Sequence, residues 1–571
     1  MISERLVFLS IFVGIISGSG AFIFYILTHL LTELLLGGLS GFQPPRAGGE
    51  TGLELNMPTS HIPLWLIPAI GGLISGLIVY NFAPEAEGEG TDAVIKAFHR
   101  FRGFIKAKIP IVKMLASAIT IGSGGSAGRE GPIAQIGGGF GSQIATLLKL
   151  SDSERRMLLI AGVAGGMGSI FRSPLGGAIY AVEVLYKKDY EVEAIIPAFI
   201  SSITAYIIFV SLIGSTEHLF ITPEVKIYNL FEIPLYLILG ILSAIVATIY
   251  IRIFYAIHNI FKKLKITNYL KPAIGGLITG LIGMFIPQAL GMGYGYVQEV
   301  IDGKIMLDVL ILAIFGKILA TAFTVGSGGS GGVFGPTVVI GSFIGGTIGY
   351  IFHKLFPDIV VQPTGYVLVG IASMIAGACK TPISAILMTV EMTGSYELLP
   401  VLMLSATTSY ILTRDESLFI EQVSTRAESP AHRGEFLVDI LESIKVEQVM
   451  TRNVITVSPK DSTVKVMELI KKTGYMGYPV IENGKLVGII TFNDVERVGI
   501  GEKIKVSDAM TRNVIVAYPD ENLRIVLEKM VKYKIGRLPV VSRDDKTKLL
   551  GIISKRDIIR EYVKIKTLKH H

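Results

Sequence analysis

The sequence predicts an α-helical polytopic membrane protein made of two related halves, followed by an α/β tail that is itself made of two related halves. Three observations carry that prediction. The phrase GSGGSAGREGP at 122–132 returns as GSGGSGGVFGP at 326–336, 204 positions later and inside apolar sequence. The 571 residues are 50% hydrophobic, with 64 glycines and a mean hydropathy of +0.57, which fits neither a soluble enzyme nor a disordered chain. Past about Thr413 the long apolar runs stop, and a charged segment begins in which short words recur at 60 to 63 residues.

Taken in order, apolar runs lie near 6–36, 62–82, 158–185, 194–213, 233–254, 272–286 and 306–325. Several reach the roughly 20 apolar residues that a bilayer crossing needs. The first lacks the short hydrophobic region and small-residue cleavage site of a signal peptide, so it is expected to be retained. Other runs are interrupted by Gly and Pro. At membrane depth such breaks are tolerated only where the backbone is buried in protein or lines a wet cavity.

The two halves, about 60–215 and 265–420, keep a common register. PAIGGLISGLI at 68–78 returns as PAIGGLITGLI at 272–282, and Phe82, Pro84, Ala86, Gly88 and Gly90 answer to Phe285, Pro287, Ala289, Gly291 and Gly293. Further on, Pro174 and Glu183 answer to Pro382 and Glu391. Repeats of this kind in a membrane chain enclose a site at their interface near the bilayer midplane. Lysine and arginine cluster at 96–108, 187–188 and 262–265, which marks these loops as cytoplasmic. The net charge of +7 is thereby a matter of topology, and no aromatic-interleaved basic stripe points to nucleic acid. The lone Cys379 excludes an intramolecular disulfide.

The second glycine phrase formally satisfies G-x-G-x-x-G. A dinucleotide site would need a strand before it, a helix after it and an acidic residue about 20 positions on. Here the preceding residues 311–325 read as a membrane helix and the next acid is Asp358; neither phrase has a P-loop Lys-Ser/Thr. No enzymatic activity, required cofactor or metal site is expected. Glycines instead let the backbone approach an ion closely and leave N–H groups free at a helix start. Pro132 and Pro336 suit the first turn of the helix after each loop. Arg129 and Glu130, placed in an apolar setting, are functional candidates because intramembrane charges are expensive. A purely structural Arg129–Glu130 ion pair is the plainer alternative.

The words Gly128-Arg-Glu-Gly-Pro132 and Gly331-Gly-Val-Phe-Gly-Pro336 resemble the two signature loops of the CLC chloride channels and transporters. The resemblance implies the CLC fold with inverted repeats, a homodimer with one anion pathway per subunit, and Glu130 as a gate that occupies an anion site when ionised and leaves when protonated or displaced. It places Gly128, Arg129, Gly131, Val333, Phe334 and Gly335 around the anion. Phe334 stands at the repeat position of Glu130, so the gate is not duplicated. Where the family commonly has a serine loop, this chain has Gly88-Glu-Gly-Thr-Asp92, which puts Glu89 at the serine position and leaves Thr91 as an alternative donor. The family's inner tyrosine is matched by Phe419. Proton-coupled members carry a second glutamate at the position of Val184, which cannot relay a proton. Glu183 and Glu391 are expected to cap or pair within the bundle.

In the tail, Met450-Thr-Arg-Asn-Val-Ile455 recurs as Met510-Thr-Arg-Asn-Val-Ile515, Pro479-Val480 as Pro539-Val540, and Gly488-Ile-Ile-Thr491 as Gly551-Ile-Ile-Ser554. Each copy reads as strand, helix, strand, strand, helix, too small to bury its apolar face alone. These words resemble a tandem CBS pair, which implies either an adenine nucleotide (ATP, ADP or AMP) in the cleft between repeats or a dimerisation platform. The matching nucleotide positions are Thr456, Tyr475 and Asp557. Otherwise Tyr475 is a surface residue, and Asp494 and Asp557 stabilise helix N-termini.

The expected organisation is therefore a transmembrane domain at 1–420, a linker at 421–443, CBS repeats at 444–500 and 504–565, and a tail at 566–571. The leading functional expectation is passive, Glu130-gated passage of chloride or a similar small anion through a plasma membrane, modulated by cytoplasmic CBS domains. The alternative is an anion/proton antiporter on the same fold, and a third reading is a membrane-anchored nucleotide sensor.

Overall fold

Matching prolines open matching helices. Pro68 and Pro272 sit in the first turns of α2 (Ile67–Phe82) and α10 (Lys271–Phe285), while Pro174 and Pro382 open α7 (Pro174–Glu183) and α15 (Pro382–Thr393). There the missing N–H costs little and the fixed φ is already helical. The computed structural model describes residues 4–50, 62–432 and 441–568. The expected linker at 421–443 and the expected end segment at 566–571 lie partly outside the described residues. The chain divides into two compact units, Met1–Ala431 and His432–His571.

The first unit is helical. After α1 (Glu4–Thr32), the first half runs α2, α3 (Thr91–Arg100), α4 (Lys108–Gly122), α5 (Glu130–Leu147), α6 (Asp152–Ile170), α7 and α8 (Ile195–Ile213). The long α9 (Ile233–Lys263) leads to the second half, which runs α10, α11 (Tyr294–Ile301), α12 (Leu307–Gly326), α13 (Phe334–Leu355), α14 (Thr364–Cys379), α15 and α16 (Leu399–Leu412). The order of the first half is thus repeated element for element. Among the described residues, six segments are long and apolar enough to cross a bilayer: Glu4–Gly38, Leu64–Phe82, Val192–Ile213, Leu230–Lys263, Leu307–Gly326 and Phe334–Leu355. Large apolar side chains such as Phe8, Leu312 and Phe285 are exposed, as a lipid-facing surface requires.

The apolar run at 158–185 forms two helices rather than one. It breaks between Ile170 and Pro174, because Pro174 disfavours helical geometry at Ser173, whose φ is −130° and ψ 75°. The halves pack closely where glycines allow it. A Cβ on Gly72 would strike the Pro272 carbonyl, and one on Gly276 would strike the Pro68 carbonyl. Their end glutamates also exchange places. Glu183 closes α7 and accepts from Ile383 N (3.0 Å) and Ser384 N (2.8 Å) at the start of α15; Glu391 in α15 accepts from Gly176 N (2.7 Å) and Ser173 Oγ (2.6 Å) at the start of α7. The expected capping role of both glutamates is what the geometry shows, and each cap lies on the other repeat. Pairwise reciprocity of this kind is the mark of a two-fold relation.

In the second unit, β1 (Gly477–Glu482) pairs antiparallel with β2 (Lys485–Thr491), and β3 (Arg537–Val541) with β4 (Leu549–Ser554). The repeats trade their leading segments. Thr451 of the first bridges to Ile552 of the second, and Thr511 of the second bridges to Ile489 of the first. Correspondingly, Ile444, Val446 and Val449 complete the core around Leu523, Val526 and Leu538, while Val506 and Ala509 complete the core around Val457, Val466 and Val480. Neither repeat closes its core alone, for the reason read from their size.

Candidate anion site

The two glycine loops meet. Gly128 N donates to Gly332 O at 2.8 Å and Gly332 N to Gly128 O at 2.7 Å, a two-residue antiparallel bridge between the starts of α5 and α13. Gly128, expected beside the anion, thus spends its own amide on the bridge. The first N–H groups of a helix have no intrahelical partner, so Glu130 and Gly131 at the start of α5, with Phe334 and Gly335 at the start of α13, present their amides to this region.

Glu130 is fully buried, and its carboxylate lies over the start of α13. Oε2 accepts from Gly335 N at 3.0 Å, and Oε1 accepts from the Tyr294 hydroxyl. The cradle depends on missing side chains. A Cβ on Gly335 would stand 2.7 Å from Glu130 Oε2 and 2.9 Å from Gly128 Cα. The negative carboxylate thus occupies a pocket of backbone N–H and phenol donors at a helix N-terminus, which is what a small anion would occupy. Phe334 lies beside it with its ring edge-on to Phe171 (5.5 Å) and Tyr180 (5.4 Å). The Val333 carbonyl is turned to Thr337 Oγ1 (2.9 Å) and Tyr250 Oη (3.4 Å).

Arg129, expected beside the anion, makes no ion pair with Glu130 among the described residues. Its Nη2 lies 2.8 Å from Glu50 Oε1 and 3.3 Å from Ile170 O, and the guanidinium is set between the rings of Tyr25 and Tyr294, 5.4 Å from each. Glu50 is therefore the partner, and both side chains are almost entirely buried. Sequence reading missed Glu50, which carries no motif. It also missed Tyr294, for which a signal existed: Gly90 matches Gly293, so Thr91 matches Tyr294 at the first position of α3 and α11.

A cavity of about 1150 Å³ opens among the basic segments, lined by Lys96, Arg100, Lys106, Lys262 and Lys271 together with Gly88, Glu89 and Gly90. Glu89 turns one carboxylate oxygen, Oε1, to cap α3 through Asp92 N, while Oε2 is buried with no hydrogen-bond partner among the described residues. The Thr91 hydroxyl is likewise buried and unpartnered among them. Phe419 is fully buried, and the following residues Ile420 and Glu421 donate their N–H groups to Asp92 (3.3 and 3.1 Å), which ties this segment to α3. Val184 is buried, its carbonyl held by Gln422 Nε2 at 2.9 Å. A second feature went unread, although the repeat contains it. Lys113 Nζ donates to Ala86 O (3.1 Å) and Gly88 O (2.6 Å), and Lys317 Nζ to Ala289 O (3.2 Å) and Gly291 O (2.7 Å). Each buried lysine props up the loop that leads into α3 or α11.

In the tail, Asp557 caps the helix Lys555–Leu568 through Ser554 N (3.0 Å) and Ser554 Oγ (2.6 Å), with Arg560 at 3.1 Å. Asp494 does the same for Phe492–Val498 through Thr491. Tyr475 and Thr456 are exposed. Arg537 donates from Nη1 to Gly477 O at 2.9 Å and so joins the two repeats.

The family description "Voltage gated chloride channel" matches residues 71–414, and "CBS domain" matches 446–500 and 506–564. The chain belongs to the voltage gated chloride channel family. Similar sequences include an uncharacterized protein of Methanocaldococcus jannaschii, 33% identical over 63% of this chain and 88% of that protein. Another is the H(+)/Cl(-) exchange transporter ClcA of Vibrio parahaemolyticus, 31% identical over 60% of this chain and 75% of its own length. Two solved structures share the fold: a slow cyanobacterial Cl-/H+ antiporter (TM-score 0.62, 22% identity, covering 72% of this chain and 95% of that one) and a eukaryotic CLC transporter (0.60, 20%, 97% and 98%). In this chain the Glu130 carboxylate is held by a tyrosine from α11, and Glu89 lines the basic cavity.

Proposed function

We propose that this CLC protein exchanges a small anion, chloride by default, for protons across the membrane, with Glu130 as the group that alternates between the two. The observation that carries the reading is the Glu130 carboxylate on Gly335 N–H and the Tyr294 hydroxyl, an anion mimic in an anion cradle. A carboxylate there competes with the permeant ion when charged and ceases to compete when protonated, which links the two movements. The exchange reading is preferred to the passive channel expected from Val184 because a relative is named as an H(+)/Cl(-) exchanger and a structural neighbour is titled an antiporter.

The same reading includes a homodimer in the plasma membrane with the CBS tail in the cytoplasm, on the side of the basic loops. It also includes an adenine nucleotide on the tail near Thr456, Tyr475 and Asp557. The deciding measurement uses purified protein in liposomes under an imposed chloride gradient. Exchange drives protons uphill, and Glu130→Ala lets chloride pass without them. Chloride flux with no proton movement in the wild type returns the protein to the channel reading.

A further inference from the structure

Exchange needs a group that delivers protons from the cavity side, and the expected place for one is Val184. That residue has no titratable group, and the neighbouring Glu183 is committed to the amides of Ile383 and Ser384. Glu89 is different. It lines the basic cavity, the space from which protons arrive, and its carboxylate Oε2 is buried. Its backbone carbonyl packs directly against Gly131, so it lies one backbone layer from Glu130.

Three buried polar atoms in this region have no hydrogen-bond partner among the described residues: Glu89 Oε2, Thr91 Oγ1 and Tyr180 Oη. Buried polar groups are nearly always satisfied, and these three stand where small side-chain turns let them bond one another. The Thr91 hydroxyl lies beside both the Glu89 carboxylate and the Tyr180 phenol, and Tyr180 packs edge-on to Phe334, the wall of the Glu130 site. The titratable groups facing Glu89 include Asp92 from the first turn of α3, Lys113 from α4, Tyr180 from α7, Tyr250 and Tyr255 from α9 and Cys379 from α14. Lys113 already gives N–H groups to Ala86 O and Gly88 O, and Asp92 adds negative charge.

The halves repeat the arrangement. In one, a propped loop presents Tyr294 to Glu130 above Lys317; in the other, the matching loop presents Thr91 beside Glu89 above Lys113. We propose that Glu89 is the cavity-side proton carrier of this protein, passing protons through the Thr91 and Tyr180 hydroxyls toward Glu130. This rests on the exchange reading. The proton joins Glu89 Oε2 from cavity water, and each hydroxyl takes one proton as it releases another; no bond between heavy atoms forms or breaks and no electron moves. An anion arriving beside the three groups is repelled by an ionised Glu89 and accepted by a protonated one that can donate to it, so the anion and the proton favour each other's arrival.

The test measures chloride and proton movement together in liposomes containing the full chain. Removing a positioned acid/base group should lower the proton-to-chloride ratio by about tenfold or more in Glu89→Gln. Tyr180→Phe, which removes one hydroxyl and no charge, should lower the same ratio and carries the test if Glu89→Gln does not purify as folded protein. A wild-type ratio in Glu89→Gln, or in Tyr180→Phe where that variant carries the test, overturns the assignment while leaving the exchange reading intact. Wild-type chloride flux without protons overturns both.

Discussion

Tyr294 donates its phenolic hydrogen to the Glu130 carboxylate from the same repeat position that Thr91 holds in the other half. One copy of a duplicated loop thereby reaches Glu130, which leads the other glycine loop into its helix. A hydrogen bond to a charged group contributes about 1.5–3 kcal/mol, so Tyr294→Phe should loosen the closed carboxylate and raise chloride flux at neutral pH by about tenfold or more. Flux equal to wild type in the liposome assay would remove Tyr294 from the gate.

Gly335→Ala tests the cradle from the other side. Its Cβ would fall 2.7 Å from Glu130 Oε2, so the carboxylate must leave. The variant should conduct at neutral pH much as Glu130→Ala does, with a flattened response to acid. Wild-type flux is expected to rise as pH falls, because protonation removes the charge that competes with the anion. A wild-type pH profile in Gly335→Ala would contradict the cradle.

The Arg129–Glu50 pair is nearly devoid of solvent contact. Removing one partner of such a pair typically costs about 3–5 kcal/mol, because the other charge is left buried alone. Glu50→Ala should therefore melt at clearly lower temperature in detergent, and Glu50→Ala combined with Arg129→Met should regain much of the loss. No recovery in the double variant would mean that Arg129 is stabilised by the two tyrosine rings and not by Glu50.

Asp557 and Asp494 make equivalent caps, and loss of either should cost about 0.5–2 kcal/mol. Nucleotide binding separates them. Asp557→Ala should weaken calorimetric binding of ATP or ADP to the full chain, whereas Asp494→Ala should leave it near the wild-type value. Equal effects of the two substitutions would reduce Asp557 to its helix.

Much of this was legible in the sequence because it was written in local words. The paired glycine phrases, the asymmetry of Glu130 and Phe334, and the tail repeats each occupy a few consecutive residues. The capping of α7 and α15 was expected in kind, but its crossing between halves is a contact over more than 200 positions. Glu50 was unreadable for the same reason, as an isolated acid whose partner lies 79 residues away. Tyr294, Lys113 and Lys317 were within reach, since all three fall out of the repeat register once aligned. The engagement of the Gly128 amide was not legible, because its partner is a backbone carbonyl 204 positions away.

The bridge between Gly128 and Gly332 and the exchanged glutamate caps are self-complementary contacts, of the sort two identical half-length chains could make with each other. Such a pair would be bound to carry the same residue at both centres. Joining the halves in one polypeptide frees them to diverge, and it is this covalent linkage that permits a carboxylate at 130 and a phenyl ring at 334, giving the pathway a front and a back.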